Sequence, residues 1–377
     1  MTMQLTERMQ RELTELTSLP TAPACEAAVI EWVRRWVERR RDVRVKRDRF
    51  GNLLLRPAAQ REVAGPPLII TAHMDHPAFV AAKASEGRTV TADFRGGVAD
   101  DFFEGSAVRL WQHGEAVQTG QVTKLYPPTQ NRPDKRVTVQ LDRAHPVEPG
   151  DILTWKLPKA TIREDRLHAP VCDDLVGVHA ALHAFDRLRQ DRGTQTRRPV
   201  DVRVLLTRCE EIGFVGALAA CESGLVPKNA RVVLLENSKS FAESPIGGGP
   251  IVRVGDKTST FDPGLTYRLT QIAQRLAERD DEFQYQRRLM PGGTCEATAY
   301  HTRGRAATCL CLPLGHYHNM NERTGRPARE TISLRDYQGL VRWLIEIGRH
   351  IDAPSAGPAL SDRLDQLLSQ RRHLIEA

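Results

Sequence analysis

The sequence predicts an α/β fold that carries an inserted β-rich domain. Three observations indicate it: short apolar runs that end abruptly in polar residues, amphipathic helical patterns between those runs, and a long segment without helical periodicity from residue 78 to 157. The clearest run is Val202–Thr207, which is filled with Val and Leu as is typical of a buried strand. Glu210 and Glu211 follow it after Arg208 and Cys209, and Gly213 then opens a small-residue helical pattern.

The first part of the chain shows two helical patterns followed by strands. Apolar residues recur at helical spacing in residues 5–16 and again in 24–40, where Trp32 and Trp36 share one side. Short strands are expected at 43–46 and 53–56. An apolar run at 68–72 predicts a buried strand that ends at His73.

Residues 78–157 have a different texture. Short runs rich in Val, Thr and Leu are broken by Gly and Pro, and no helical period is evident. This pattern predicts a small all-β insertion, with a last strand at 152–157. The insertion is also expected to expose apolar residues such as Phe102 and Phe103. Residues 1–77 and 158–377 would then form one discontinuous domain.

Helix and strand patterns alternate again after the insertion. Helices are expected from 173 through 188, around 217, from 265 to 277, through 299, at 334–347 and at 360–374, and strands at 202–206, 232–236, 283–287 and 306–312. This alternation is typical of an α/β protein.

Composition excludes several classes of protein. The 377 residues are 27% charged and 40% hydrophobic, which is ordinary for a globular protein. The net charge of +7 comes from scattered Arg residues, so no nucleic-acid partner is predicted. No apolar run approaches the roughly 18 residues of a membrane span. Seven Cys without a C-x-x-C pair, and an N-terminus without a signal-peptide pattern, predict a cytoplasmic protein with reduced thiols.

Five residues with metal-ligating side chains share one kind of position, at the end of a predicted strand or the start of a predicted helix. They are His73, Asp173, Glu211, Glu236 and His318. Imidazole and carboxylate ligands suit Zn²⁺, Mn²⁺ or Co²⁺. Five ligands exceed what a single catalytic zinc takes from protein, so the set predicts two metals that share one carboxylate and a water.

The remaining acids at these positions suggest further roles. One of the adjacent residues Glu210 and Glu211 can bind metal while the other faces the water as a general base. Asp75, two residues after His73, can accept a hydrogen bond from the second nitrogen of that imidazole. Each piece also has an ordinary interpretation: a solvated acid pair at a strand end, a helix cap, or a surface histidine. The other histidines, His179 among them, are expected to be ordinary side chains.

The motifs taken together resemble the tetrahedral aminopeptidase family, the glutamyl and deblocking aminopeptidases. The resemblance rests on residues 71–75, Asp173-Asp174 with Gly177, residues 210–213, Glu236, residues 292–294, and His318 with Glu322, and it covers nearly the whole chain. It implies a mixed central sheet flanked by helices, as in di-zinc aminopeptidases. It also implies that residues 78–157 form a small β-barrel-like domain for dimerisation.

The resemblance further implies a role for each residue. His73, Asp173 and Glu236 would hold one metal, and Asp173, Glu211 and His318 the other. Asp173 would be the bridge, Glu210 the general base and Asp75 the partner of the metal-binding imidazole. The chain departs from the family pattern at Glu236, Leu175, Cys295 and His316, so the preferred N-terminal residue stays open.

The sequence therefore predicts a cytoplasmic metallo-aminopeptidase that releases N-terminal residues from short peptides. Its expected cofactors are two divalent ions per chain, Zn²⁺ first, with Co²⁺ or Mn²⁺ as alternatives. Self-association as a dimer or dodecamer is expected, without nucleic acid or membrane as partners. An amidohydrolase or carboxypeptidase-type deacylase of the same clan, acting on an acylated small molecule, is the alternative enzyme. A non-catalytic binding protein is the alternative from another class.

Overall fold

The computed structural model describes residues 5–58, 65–191, 201–353 and 360–376. Within these ranges the α-helices are α1 (Glu7–Leu16), α2 (Ala27–Glu38), α3 (Leu175–Gln190), α4 (Val215–Glu222), α5 (Pro263–Arg279), α6 (Glu296–Thr302), α7 (Leu334–His350) and α8 (Leu360–Arg371). The strands are β1 (Val43–Arg47), β2 (Leu53–Pro57), β3 (Leu68–His73), β4 (Ala78–Ala81), β5 (Thr89–Arg95), β6 (Ala107–Gln112), β7 (Glu115–Tyr126), β8 (Lys135–Leu141), β9 (Ile152–Trp155), β10 (Thr161–Arg163), β11 (Arg166–Ala169), β12 (Val202–Thr207), β13 (Arg231–Lys239), β14 (Ile251–Gly255), β15 (Gln286–Leu289), β16 (Ala306–Leu314), β17 (Met320–Asn321), β18 (Arg326–Pro327) and β19 (Glu330–Ser333).

An eight-stranded mixed sheet forms the centre of the molecule, in the order β1-β2-β12-β3-β13-β16-β14-β15. The four strands β12, β3, β13 and β16 are parallel to their neighbours within this group. Successive residues of β3 face opposite sides: Ile70 packs in the core with α3, and Ile69 packs in the core with α4 and α6. Every residue of β3 is buried because helices cover both faces. The predicted mixed sheet flanked by helices is confirmed.

A closed six-stranded barrel interrupts the sheet topology between β3 and β12. Its strand order is β4-β5-β8-β7-β6-β9. An aromatic cluster fills it, with ring centroids of Phe79 lying 4.8 Å from Phe94 and 4.7 Å from Trp155. Closure pairs every edge strand, so the small domain leaves no sheet edge open. The predicted inserted β-barrel-like domain is thus present.

Three details of the insertion and the central sheet differ from the expectations drawn from the sequence. Phe102 and Phe103 are 6% and 0% exposed, because both pack into the barrel core rather than facing solvent. Strand β14 was not predicted, since the buried Arg253 interrupts its apolar pattern. The strand expected at 283–287 lies instead at Gln286–Leu289, and Phe283 before it packs in the main core.

Among the helices within the described ranges, none combines the length and the apolar character that crossing a bilayer requires.

Candidate active site

The site lies where the four parallel strands of the central sheet end. The carboxyl ends of neighbouring parallel strands meet at one edge, where ligand crevices form in open α/β sheets. His73 is the last residue of β3 and is in register with Thr207, the last residue of β12. Glu210 and Glu211 follow β12, and Glu236 lies within β13. The chain after β16 returns to this edge in a short 3-10 turn over 317–319.

Two groups of three side chains share Asp173. One ligand atom from each of His73, Asp173 and Glu236 lies within 4.8 Å of the others, and the same holds for Asp173, Glu211 and His318. Asp173 Oδ1 lies 3.5 Å from His73 Nε2, whereas Asp173 Oδ2 lies 3.7 Å from His318 Nε2. Each oxygen of one carboxylate therefore faces a different imidazole, an arrangement that suits a carboxylate shared between two cations.

Unpaired oxygen atoms in this cluster indicate what it fits. Asp173 Oδ1 and Glu211 Oε1 are buried and accept no hydrogen bond of good geometry among the residues that the structure describes; each instead faces an imidazole nitrogen, His73 Nε2 at 3.5 Å and His318 Nε2 at 3.2 Å, respectively. A buried charged oxygen is costly unless a donor or a cation meets it. Imidazole nitrogens and carboxylate oxygens together match the preferences of Zn²⁺, Mn²⁺ and Co²⁺. The residues present therefore fit divalent cations.

Protons held by the histidines and by two of the glutamates offset the negative charge of this cluster. Burial disfavours a charged His73, but its contact with Asp173 and nearby carboxylate charges outweigh burial and raise its pKa well above the usual value. The same competition, with Glu211 as the main opposing partner, raises the pKa of His318 to about 9. Burial raises the pKa of Glu210 and of Glu236 well above the usual range. Cations bound here would displace these protons.

Asp75 connects His73 to the two adjacent glutamates. Its Oδ1 accepts from the backbone N–H of Glu210 at 3.0 Å, and its Oδ2 accepts from that of Glu211 at 3.1 Å. His73 Nδ1 contacts the backbone oxygen of Asp75 at 3.1 Å and lies 3.7 Å from its carboxylate. The backbone oxygen, more closely than the side chain, thus partners the imidazole, while the carboxylate holds the Glu210 turn. Burial raises the pKa of Asp75 to about 6.

Glu26, which the sequence did not single out, supports the same turn from the other side. Its Oε1 accepts from the backbone N–H of Cys209 at 3.2 Å, and its Oε2 accepts from Arg208 Nε at 2.6 Å. Cys209 needs this support because its φ of 56° lies in the left-handed region that side chains disfavour. The turn that presents Glu210 is therefore held by two buried carboxylates.

Glu330 is a further connecting residue that the sequence did not reveal. Its Oε2 accepts from the backbone N–H groups of Cys172 and Asp173 at 2.7 and 3.0 Å, and its Oε1 accepts from that of His318 at 2.9 Å. Burial raises the pKa of Glu330 to about 7. One carboxylate thus ties together the two segments that supply the shared Asp and the second His. Its position in a polar stretch before α7 gave no signal of this role.

His76 and Asn237 also fix the Asp173 segment. His76 Nδ1 contacts the backbone oxygen of Asp173 at 2.6 Å, and its Nε2 contacts Asn319 Oδ1 at 3.1 Å. Asn237 Nδ2 donates to Asp174 Oδ1 at 2.9 Å. His76 stands three residues after His73, and that proximity was the only signal in the sequence.

Besides Glu236, three residues depart from the pattern of the resembled family, and two of these three lie in the protein core. Leu175 is 0% exposed and Cys295 is 1% exposed. His316 is exposed and its Nδ1 contacts the backbone oxygen of Arg329 at 2.9 Å. Of the three, only His316 has a side chain that could face a substrate.

Comparisons with known proteins identify the family and the fold of this chain. The model of the family described as M42 glutamyl aminopeptidase matches residues 51–333. No curated protein matches the chain. A TET aminopeptidase from a marine sediment archaeon of the Thaumarchaeota has a similar structure, with a TM-score of 0.76 at 18% identity over 92% of this chain and 98% of that one.

Two further solved structures are similar. The Pyrococcus horikoshii TET1 peptidase, which can assemble into a tetrahedron or a large octahedral shell, gives a TM-score of 0.72 at 18% identity over 90% of this chain and 99% of that one. An aminopeptidase from Desulfurococcus kamchatkensis gives 0.72 at 19% identity over 94% and 99%. At these identities the structures establish the shared fold.

Proposed function

The chain belongs to the M42 glutamyl aminopeptidase family and is a metal-dependent aminopeptidase; from this premise we propose how its own residues carry out the reaction and on which substrates. The proposed substrates are short peptides with a free N-terminus, cleaved one residue at a time. The proposed cofactors are two divalent ions per chain, with Zn²⁺ preferred and Co²⁺ or Mn²⁺ as alternatives.

Two ligand sets would hold the ions. His73, Asp173 and Glu236 form one, and Asp173, Glu211 and His318 form the other, with Asp173 common to both. When bound, the ions supply an acidified water and polarise the scissile carbonyl. The observation that carries this proposal is that the two oxygens of Asp173 face two different imidazoles at 3.5 and 3.7 Å.

Glu210 is the proposed general base. One of its carboxylate oxygens lies within 4.8 Å of ligand atoms of His73 and Glu211, so it borders the ligand cluster and is itself 7% exposed. A carboxylate there can take a proton from the attacking water and deliver it to the leaving amine. Burial raises the pKa of Glu210 well above its usual range, and the charge of bound cations would favour the ionised form that accepts the proton. Asp75 positions Glu210 through the backbone rather than by touching substrate.

Elemental analysis and anomalous diffraction on the metal-loaded chain test the ligand sets. Two ions should lie on either side of Asp173. A single fully occupied position, with His318 or Glu236 turned away from it, would contradict the two-ion proposal and leave the family assignment intact.

A panel of aminoacyl anilides and N-acyl amino acids tests the substrate class. We expect turnover of substrates with a free α-amino group. Preferential turnover of N-acyl amino acids would favour the deacylase alternative, and metal binding without any turnover would favour a binding protein.

Self-association through the barrel is also proposed, giving a dimer or a dodecamer in the cytoplasm. The barrel strand β7 leaves Val117 and Tyr126 each 36% exposed, and these replace Phe102 and Phe103 as candidate contacts. The seven free cysteines, four of them 0–1% exposed, agree with a reducing compartment. Light scattering at micromolar concentration should give at least a dimer, and a monomer would refute the assembly.

A further inference from the structure

A second group of ligand-type side chains lies away from the catalytic cluster, between helices α1 and α3. It consists of Glu12, His179 and His183, whose ligand atoms lie within 4.8 Å of one another. His179 and His183 are four residues apart on α3, so both side chains project from one face of the helix. Their ring centroids are 4.2 Å apart, and His183 Nε2 lies 3.3 Å from Glu12 Oε2.

All three facing atoms are unsatisfied. Glu12 Oε2, His179 Nε2 and His183 Nε2 are buried, and none has a hydrogen-bond partner within the described part of the chain. His179 itself is 0% exposed. Leaving a buried polar group unpaired is unfavourable, so three that converge on one point indicate something that meets them all.

The surroundings set the state of each ligand. His179 Nδ1 contacts Tyr337 Oη at 2.6 Å. A neutral ring that donates its Nδ1–H to Tyr337 directs the Nε2 lone pair into the cluster. Metal-binding histidines are held in this way by a partner on the other nitrogen.

The two oxygens of Glu12 face different partners. Arg8 Nε donates to Oε1 at 2.9 Å, and Arg39 Nη1 lies 3.9 Å from the same oxygen. Both guanidinium groups therefore engage Oε1, while Oε2 faces the two imidazoles.

An ion pair between Glu12 and a protonated His183 is the simplest alternative. It would account for two of the three unpaired atoms. It would leave His179 Nε2 buried without a partner, and it would place a positive ring 4.2 Å from a second ring. A bound cation accounts for all three atoms at once.

Solvent reaches the edge of the cluster at His183. A cavity of about 640 Å³ borders His183 and is also lined by Met9, Leu276 and Ile345. Water from this side can complete a coordination shell that has three protein ligands.

We propose that Glu12, His179 and His183 form a further divalent-cation site, chemically suited to Zn²⁺, that ties α1 to α3. Two imidazoles and one carboxylate are a recognised zinc ligand set. Since α1 contributes only Glu12, the cation would fasten a short N-terminal helix to the main core.

Metal content per chain tests this proposal. Wild type and His183→Gln are stripped with a chelator, saturated with Zn²⁺, dialysed and measured by elemental analysis. His183→Gln should hold one equivalent fewer than wild type, with kcat/KM unchanged. The difference between the two proteins is the readout, so it does not depend on how many ions the catalytic cluster takes.

His350→Gln is the matched control, because His350 lies 3.2 Å from Glu346 on α7 and, within the described part of the chain, the pair belongs to no group of three ligand-type side chains. It should keep the wild-type metal content. Equal metal content in wild type and His183→Gln would overturn the site. Should His183→Gln fold poorly, anomalous diffraction from wild-type crystals soaked in Co²⁺ decides: a peak between Glu12, His179 and His183 supports the proposal, and its absence rejects it.

Discussion

Helix α3 adjoins two carboxylate–imidazole clusters that are built in opposite ways. In the cluster with Glu12, two ligands lie one helical turn apart, so the hydrogen bonding of the helix itself sets their spacing. In the proposed catalytic cluster, which lies before the first turn of α3, each proposed ligand comes from a different segment. His318 even lies in the left-handed region, with φ of 53°. The first cluster needs few hydrogen bonds from other segments to hold its side chains in place, whereas the second needs many.

The difference shows which groups hold the residues of the proposed catalytic cluster in place. Buried carboxylates do so by accepting hydrogen bonds from backbone N–H groups, chiefly Asp75 on the Glu210 turn and Glu330 on the segments of Asp173 and His318. Such acceptors fix ligands drawn from separate strands, and mutating groups of this kind commonly weakens metal binding. The predictions below test this contrast, from the largest expected effect to the smallest.

Substitution of the adjacent residues Glu210 and Glu211 should have different effects on turnover and on metal content. Glu210→Gln keeps its volume and both proposed ligand sets but cannot accept a proton, so kcat should fall at least about a hundredfold with near-normal metal content and little change in KM. Glu211→Gln removes a negative ligand and should lose metal. Elemental analysis beside turnover measures both. Metal loss in Glu210→Gln alone would mean that the two roles are reversed, and full activity would refute the mechanism.

Removal of metal should loosen the catalytic cluster more than the helix. A ligand at 100 times its dissociation constant stabilises the folded state by about 2.7 kcal/mol, so stripping should lower Tm. Hydrogen exchange should rise in residues 208–214 and 316–319, because their conformations depend on few backbone hydrogen bonds. Amides of α3 around His179 should change less. Equal loss of protection in both regions would remove the contrast drawn here.

Glu330→Gln should weaken metal binding without touching a ligand. An amide places a donor where one oxygen now accepts a backbone N–H, so metal affinity should fall about 10–100-fold. Glu322→Gln is the control, because Glu322 pairs with Lys239 at the exposed surface. Titration of the stripped proteins with Zn²⁺ gives both values. Unchanged affinity in Glu330→Gln would show that the segments hold their positions without it.

Gly177→Ala should disturb the start of α3, between the two clusters. A Cβ there would lie 2.3 Å from Asp174 Oδ1, and such overpacking typically costs about 1–3 kcal/mol. Gly264→Ala in the first turn of α5 is the matched control, since its Cβ would meet only Asp262 Oδ1 at 3.5 Å. That change should be neutral or stabilise by up to about 1 kcal/mol. Chemical denaturation measures both, and equal stability of the two variants would contradict the steric argument.

Much of the fold could be predicted because local pattern and burial agree. The strand at 68–72 and the strand at Val202–Thr207 are continuous apolar runs, and fully buried parallel strands require such runs. Strand β14 escaped prediction because Arg253 is buried there beside Cys309 Sγ, at 3.7 Å. When residues distant in sequence bury a charged side chain, the pattern of its own segment does not reveal that burial.

The sequence by itself determined which side chains could bind metal, because ligand chemistry belongs to the residue and strand ends recur at one edge of a sheet. The tertiary structure alone decided how they are held. Glu330 acts on segments about 12 and 157 residues away, and Glu12 meets His183 across two helices. Phe103 packs in the barrel core, which exists only once the six strands close into a barrel. These contacts depend on long-range packing, which no local spacing encodes.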